Sequence, residues 1–167
     1  MLCKKVVIGA AFLSVLLILS LGIASAISVD IEKTPVSDVV ITELNKPAIF
    51  DFTIRNLGAD DNFEIYSLVG VDMLPKDMFM IKSGQAVERT ISVMPQEITK
   101  QREGFYTFVY KIRGQNSGIQ EDKLTIKIVY LKNLFDVGSG IIEPDSEKVI
   151  LYIQNKENTV LNNVDVK

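Results

Sequence analysis

Alternation constrains this chain more than any other feature. From residue 27 onward, apolar residues recur at every second position, which sets them on one face of an extended strand and polar residues on the other. In residues 49–56, Phe50, Phe52 and Ile54 share one face while Asp51, Thr53 and Arg55 take the other. Phe63 and Ile65 follow, then Val87, Ile91 and Val93 ahead of Pro95. The strongest pair of rows is Tyr106, Phe108, Tyr110 and Ile112 followed by Leu124, Ile126, Ile128 and Tyr130. Between them, Gly114 and Gly118 flank Gln115, Asn116 and Ser117, a composition suited to a β-hairpin loop. Further turns are expected at 45–47, 58–62 and 83–84.

Adding Val29 with Ile31 and the 39–44 region predicts an all-β fold of about seven or eight strands over residues 27–131, the size and spacing of an antiparallel immunoglobulin-like β-sandwich. A chain of that length can bury a core without disulfides. The expected core is Phe50, Phe52, Ile54, Phe63, Ile65, Ile91, Val93, Tyr106, Phe108, Tyr110, Ile126 and Ile128. Near the end the pattern starts again. Val149, Leu151 and Ile153 alternate before Asn155, which stands 99 residues after Asn56 at the end of the earlier run. Residues 147–167 therefore read as the opening strands of a second, incomplete sandwich in a tandem array. The intervening 132–146, with Gly138, Ser139, Gly140 and Pro144, reads as a bendable linker, and the chain as the first part of a longer protein.

Ahead of all this, Lys4 and Lys5 precede an uncharged apolar stretch that closes on Ala24, Ser25 and Ala26. That order of charge, apolar helix and small residues is a secretory signal, with cleavage expected between Ala26 and Ile27. The apolar part exceeds the usual ~7–15 residues and approaches the ~20 that span a bilayer, so an uncleaved membrane anchor is the alternative. Either way the lysines stay inside and the remainder lies outside the cytoplasm, secreted or at the cell surface. Cys3 precedes the apolar stretch and is misplaced for lipidation after processing.

Composition narrows the chemistry. The chain has no His or Trp, and Cys3 is its single cysteine. Residues 27–167 by themselves therefore supply no thiol or imidazole nucleophile, no cysteine or histidine zinc ligands and no disulfide. Without Lys4 and Lys5, 16 basic residues face 21 acidic ones, a net charge of −5 and a poor match for nucleic acid. No catalytic, cofactor or metal residues are expected. Membrane contact is expected only through the N-terminal segment.

Several short signals together resemble a family. They are a strand ending at Asn56, Leu57 and Gly58; a proline-bearing middle; Ser83 and Gly84 before an alternating strand closing at Pro95; and Gly104, Phe105 and Tyr106 opening the penultimate strand. Over 27–131 the chain resembles the immunoglobulin-like modules that flank secreted α-galactosidases and recur in archaeal S-layer-type envelope proteins. The resemblance implies an extracytoplasmic, architectural or accessory role and transfers no catalytic residues. The chain departs from glycosylated S-layer proteins in having no Asn-x-Ser/Thr site.

Side chains with two readings divide as follows. Tyr106 is placed like a tyrosine-corner residue, with its hydroxyl bonded to backbone, and Phe52 with Phe108 is expected to fill the space of the missing inter-sheet disulfide. Asp60 and Asp61, with Asn62 and Glu64, read as a solvated turn rather than a calcium site. Met73, Met78, Phe79 and Met80 around Pro75 read as a lid on the core. Phe105, Val109 and Val129 are expected to form an apolar strip among Thr107, Lys111, Arg113, Thr125 and Lys127 on the outward face of the last hairpin, marking contact with a protein. Carbohydrate is the weaker reading, since only Phe105 and Tyr152 offer exposed rings. The function expected is a non-catalytic structural or interaction module of an envelope protein. The alternative is an accessory module of a secreted enzyme, such as a glycoside hydrolase, with its catalytic domain beyond Lys167.

Overall fold

The computed structural model describes residues 27–141, 145, 147–157 and 159–161; the expected signal at 1–26 lies outside them, as does the end of the expected second repeat. The chain is all-β. Strands β1 (Val29–Ser37), β2 (Val39–Ile41), β3 (Ala48–Asn56), β4 (Asp61–Tyr66), β5 (Val71–Leu74), β6 (Phe79–Ile81), β7 (Ala86–Pro95), β8 (Gly104–Gly114) and β9 (Gly118–Val129) form two sheets. One sheet has the order β1-β3-β7-β5, the other β2-β9-β8-β4-β6. A short α-helix, α1 (Glu97–Lys100), links β7 to β8, and a 3-10 turn at Thr42–Leu44 follows β2.

The first two strands divide between the sheets. β1 pairs antiparallel with β3 until its register breaks between Pro35 and Ser37, and after Asp38 the chain pairs parallel with β9 as β2. Pro35 fits there because it sits on an edge strand, where a missing N–H costs no ladder bond.

One core unites the sheets. Phe50, Phe52, Ile54, Ile91 and Val93 come from the first sheet, and Phe63, Ile65, Phe108, Tyr110, Ile126 and Ile128 from the second; all are buried. Tyr106 is only partly buried at the margin of that cluster, with its ring stacked on Phe108 at 6.2 Å. At the centre Phe52 meets Tyr110 edge-on, with ring centroids 5.4 Å apart and planes at 81°. The aromatic bridge between the sheets is therefore Phe52–Tyr110 rather than Phe52–Phe108. Register decides this, because Tyr110 lies two residues further along the same inward row.

Two strands were not legible as such in the sequence. β5 and β6 flank Pro75 within the methionine-rich stretch, and they send Met73 inward while Met78 and Met80 stay exposed. Phe79 turns its ring toward Phe63 at 6.5 Å and takes the Arg89 guanidinium over it at 4.7 Å. The lid thus has an inner and an outer side, set by strand alternation.

Beyond β9, a 3-10 turn at Leu131–Asn133 leads into β10 (Phe135–Ser139), which pairs antiparallel with β11 (Leu151–Asn155). Residues 132–146 are therefore not plain linker: a strand occupies part of them. The base of this ribbon is fastened to the body. Leu134 is buried with Val39, Ile41 and Val129, and Phe135 and Leu161 pack on that cluster. Lys127 Nζ reaches both Glu157 carboxylate oxygens at 2.7 and 2.8 Å, and Lys46 Nζ reaches Thr159 Oγ1 at 2.8 Å.

Candidate functional site: an apolar face on the five-stranded sheet

Outward residues of β8 and β9 make a face in which three of the row's cations are matched, while Lys123, opposite Val109, is exposed. Lys111 pairs with Glu121 at 2.6 Å, Arg113 pairs with Glu64, and Lys127 is held by Glu157. Arg113 also lies over the Tyr66 ring at 5.6 Å, and Thr107 and Thr125 share a hydrogen bond of 2.7 Å across the strands. These pairs offset much of the charge on the face. What stands out from the face is apolar: Phe105 is 75% exposed and Val109 is 42% exposed.

Val129 does not belong to this strip and is buried, a correction to the sequence reading. It pairs with Ile41 of β2, and the turn after β9 folds Leu134 against the same spot. Alternation places Val129 on the outward face correctly, but a segment of the chain covers that end of the face.

Other residues extend the strip instead. α1 presents Ile98, and the β4–β5 loop presents Leu68 and Val69, all exposed. The loop is tied to β8 by Ser67 Oγ donating to the Val109 carbonyl at 3.0 Å, and to α1 by Gln96 N donating to the Gly70 carbonyl at 2.8 Å. Between α1 and β8 runs a groove of about 640 Å³ whose lining includes Ile98, Arg102, Glu103, Phe105 and Tyr106. Lys127 Nζ stands 5.6 Å from the Phe105 ring centroid, so one lysine joins the aromatic ring to Glu157 at the ribbon base. Periodicity misses Ile98, Leu68 and Val69 because they sit outside long strands.

Tyr106 does not act as a tyrosine corner. Its hydroxyl makes no hydrogen bond among the described residues and abuts Gly70; a Cβ there would stand 2.5 Å from the hydroxyl oxygen. The tyrosine that bonds back to backbone is Tyr130, whose hydroxyl donates to the Gln101 carbonyl at 2.8 Å. Gly70 has φ of +71°, so a side chain there meets both backbone strain and the Tyr106 hydroxyl. Gly70→Ala is expected to destabilise the fold by about 2 kcal/mol, read as a lower urea midpoint. An unchanged midpoint would mean that the loop adapts without strain.

Two polar nodes carry the ionisable groups nearest the core. In the first, Tyr110 donates to Asp122 Oδ2 at 3.0 Å, while Lys33 donates to the same oxygen at 2.5 Å and to the Lys123 carbonyl at 3.0 Å. Burial, with the Asp122 charge beside it, pushes the Tyr110 hydroxyl far above its ordinary value, so it stays a donor. This node joins β1 to β9 and thus one sheet to the other. The second node is Asp61, which the sequence reading placed in a solvated turn. The structure buries it: Asn116 donates through N and Nδ2, Ser117 through Oγ and Asn62 through N. Its oxygens point at donors rather than at open solvent, because Asp61 opens β4 directly beside the β8–β9 loop. Gly114 permits the approach, since a Cβ there would lie 2.6 Å from Asp61 Oδ2. Asp60, by contrast, is exposed and accepts one bond from Ser83 N at 2.7 Å.

No protein-family model matches the chain, and no curated protein does. Among solved structures it is similar to a FixG-related protein from Vibrio parahaemolyticus, at 10% identity and a TM-score of 0.46, over 59% of this chain and 94% of that one. Among the described residues no helix is long and apolar enough to cross a membrane.

Proposed function

We propose that this chain is a non-catalytic interaction module of the immunoglobulin-like kind, exported and displayed at the cell envelope, which docks another protein on the Phe105 face. The sheet orders β1-β3-β7-β5 and β9-β8-β4 support the fold reading, since they correspond to the A-B-E-D and G-F-C sheets of that sandwich. The Phe52–Tyr110 contact then joins the B and F strands where a disulfide sits in antibody domains. Export is supported by the N-terminal lysines, apolar stretch and small-residue exit.

The observation that carries the docking reading is an exposed aromatic beside a groove, on a partly apolar surface whose charges are mostly paired. Interfaces bury aromatic anchors and deplete net charge at their cores, which is the chemistry Phe105, Ile98, Leu68 and Val69 offer. A protein fits better than a sugar, because among the described residues no ring pairs with Phe105 to make a stacking platform, the Tyr106 ring stacking on Phe108 instead.

The test replaces Phe105 with a photo-activatable phenylalanine analogue in cells that export the chain. Cross-linked adducts to a protein in the envelope fraction are expected, and a Val109→Asp, Ile98→Asp background should abolish them while moving stability by less than about 0.5 kcal/mol. Adducts to glycan alone, or none at any surface density, would sink the docking reading. In the same cells, sequencing of the recovered chain is expected to begin at Ile27. Recovery in the cytoplasm would overturn the export assignment.

A further inference from the structure

β9 is interior to its sheet at one end only. β8 pairs with its residues 118–128 on one side, whereas β2 reaches only Lys127, Ile128 and Val129 on the other. Residues 118–126 therefore have no strand on that second side among the described residues. Lys127 N donates to the Asp38 carbonyl at 2.8 Å, which fixes the parity of this edge. Alternate residues of an antiparallel ladder turn N–H and C=O to the same side, so Ile119, Glu121, Lys123 and Thr125 turn theirs away from β8. An open edge of this kind is a template on which another strand can pair.

At the middle of the edge both backbone groups of Lys123 are already taken by side chains. Its N–H donates to Asp122 Oδ1 at 2.7 Å, and its carbonyl accepts from Lys33 Nζ at 3.0 Å. The other Asp122 oxygen holds the pair in place, since it accepts from Lys33 Nζ at 2.5 Å and from the Tyr110 hydroxyl at 3.0 Å. Lys33 comes from an inward position: it pairs with Phe52 across the β1–β3 ladder, and its ammonium lies 5.5 Å from the Tyr110 ring centroid. An apolar side chain would serve packing there. The lysine stem covers the ring and carries a charge across the gap between the sheets to the edge of β9.

We propose that Lys33 and Asp122 form an edge lock, which occupies the backbone groups of Lys123 and so keeps the open side of β9 from pairing with a strand of another chain. A strand laid along 119–125 must bond residue 123 in the middle of its ladder. To do so it has to displace two charge-assisted hydrogen bonds and cover the Lys33 ammonium without giving it a partner. The neighbouring edge strand, β1, is blunted by Pro35, which offers no N–H. The lock is independent of the Phe105 face and stands whether or not that face takes a partner.

Sedimentation over a concentration series compares the full chain with Lys33→Met, Asp122→Ala, the two combined, and Tyr110→Phe. The combined variant is expected to associate at least about tenfold more tightly than the parent, with slowed amide exchange at Glu121 and Thr125 in the associated form. Adding Glu121→Pro should cancel the gain, because proline presents no donor on that edge. Lys33→Met alone keeps the bond between Tyr110 and Asp122 and should shift association in the same direction by about threefold or more, a readout that survives if the combined variant does not fold. Tyr110→Phe weakens the same node without uncovering Lys123 and should match the parent. Association no stronger than the parent's in both Lys33→Met and the combined variant overturns the proposal. So does a gain that Tyr110→Phe reproduces, which would trace it to lost stability, or a gain without slowed exchange at Glu121 and Thr125, which would place the contact elsewhere.

Discussion

Phe52→Ala is expected to cost about 3–5 kcal/mol of folding stability, the usual penalty for truncating a buried aromatic. Phe52 is fully buried in the middle of β3 and touches Tyr110 of the opposite sheet edge-on, so the void opens between layers that have no covalent link. The backbone on both sides is held by strand neighbours, β1 and β7 on one and β4 and β9 on the other, which limits collapse into the cavity. Tyr110→Phe removes the bond to Asp122 but keeps the ring, and about 1–2 kcal/mol is expected for it. The double variant Phe52→Ala, Tyr110→Ala should show a coupling of roughly 0.5–1.5 kcal/mol, the range of aromatic pairs. Urea unfolding of the parent, Phe52→Ala, Tyr110→Phe, Tyr110→Ala and the double variant measures all three quantities. Additive losses would show that the two rings pack independently.

Asp61→Ala is expected to cost about 2–4 kcal/mol, because it strands the backbone and side-chain donors that converge on one buried carboxylate. The effect has a pH signature. Burial by itself would raise the Asp61 carboxyl, but the bonds from Ser117, Asn116 and Asn62 outweigh it and hold the group below the ordinary aspartate value. A group depressed in the folded state contributes stability that is complete above its unfolded pKa of about 3.9 and is lost as pH falls through the folded value. Asp122 acts in the same direction: burial opposes its charge, and Lys33, Lys123 N and Tyr110 more than offset that. Stability should therefore fall on acidification below about pH 4, and Asp61→Asn should flatten part of that fall while lowering the plateau at neutral pH. Asp60→Ala, which loses one exposed bond, should stay within about 0.5 kcal/mol of the parent. An Asp61→Asn profile parallel to the parent at every pH would show that the carboxylate is not what the hairpin loop holds.

The all-β class and the inward rows were legible because strand alternation is a local, period-two signal that needs no partner to be read. Phe52, Ile54, Tyr110 and Ile126 follow from it directly, and all four are buried. The hairpin closing through Gly114 and Gly118 was legible for the same reason, with its turn residues between two rows. What alternation leaves open is whether an outward residue meets solvent or another stretch of chain. Phe105 and Val129 both lie on the outward side of the last hairpin, yet one is exposed and the other buried. The difference comes from β2 and Leu134, brought beside Val129 by a parallel pairing that spans most of the sequence.

The same division holds for the polar residues. Asp60 and Asp61 are adjacent in an acidic turn, and nothing local distinguishes them. Tertiary structure does, because one faces solvent and the other meets the loop 55 residues further on that carries Asn116. By itself the sequence determined the strand class, the inward core rows, the absence of imidazole and of any cysteine but Cys3, and the charge balance, all of which depend on residue type and spacing. Only the tertiary structure decided the division of β1 and β2 between sheets, the Phe52–Tyr110 bridge, the Asp61 node and the extent of the apolar face. Each of these is a contact between segments remote in sequence, made once the long-range pairings fix which faces meet.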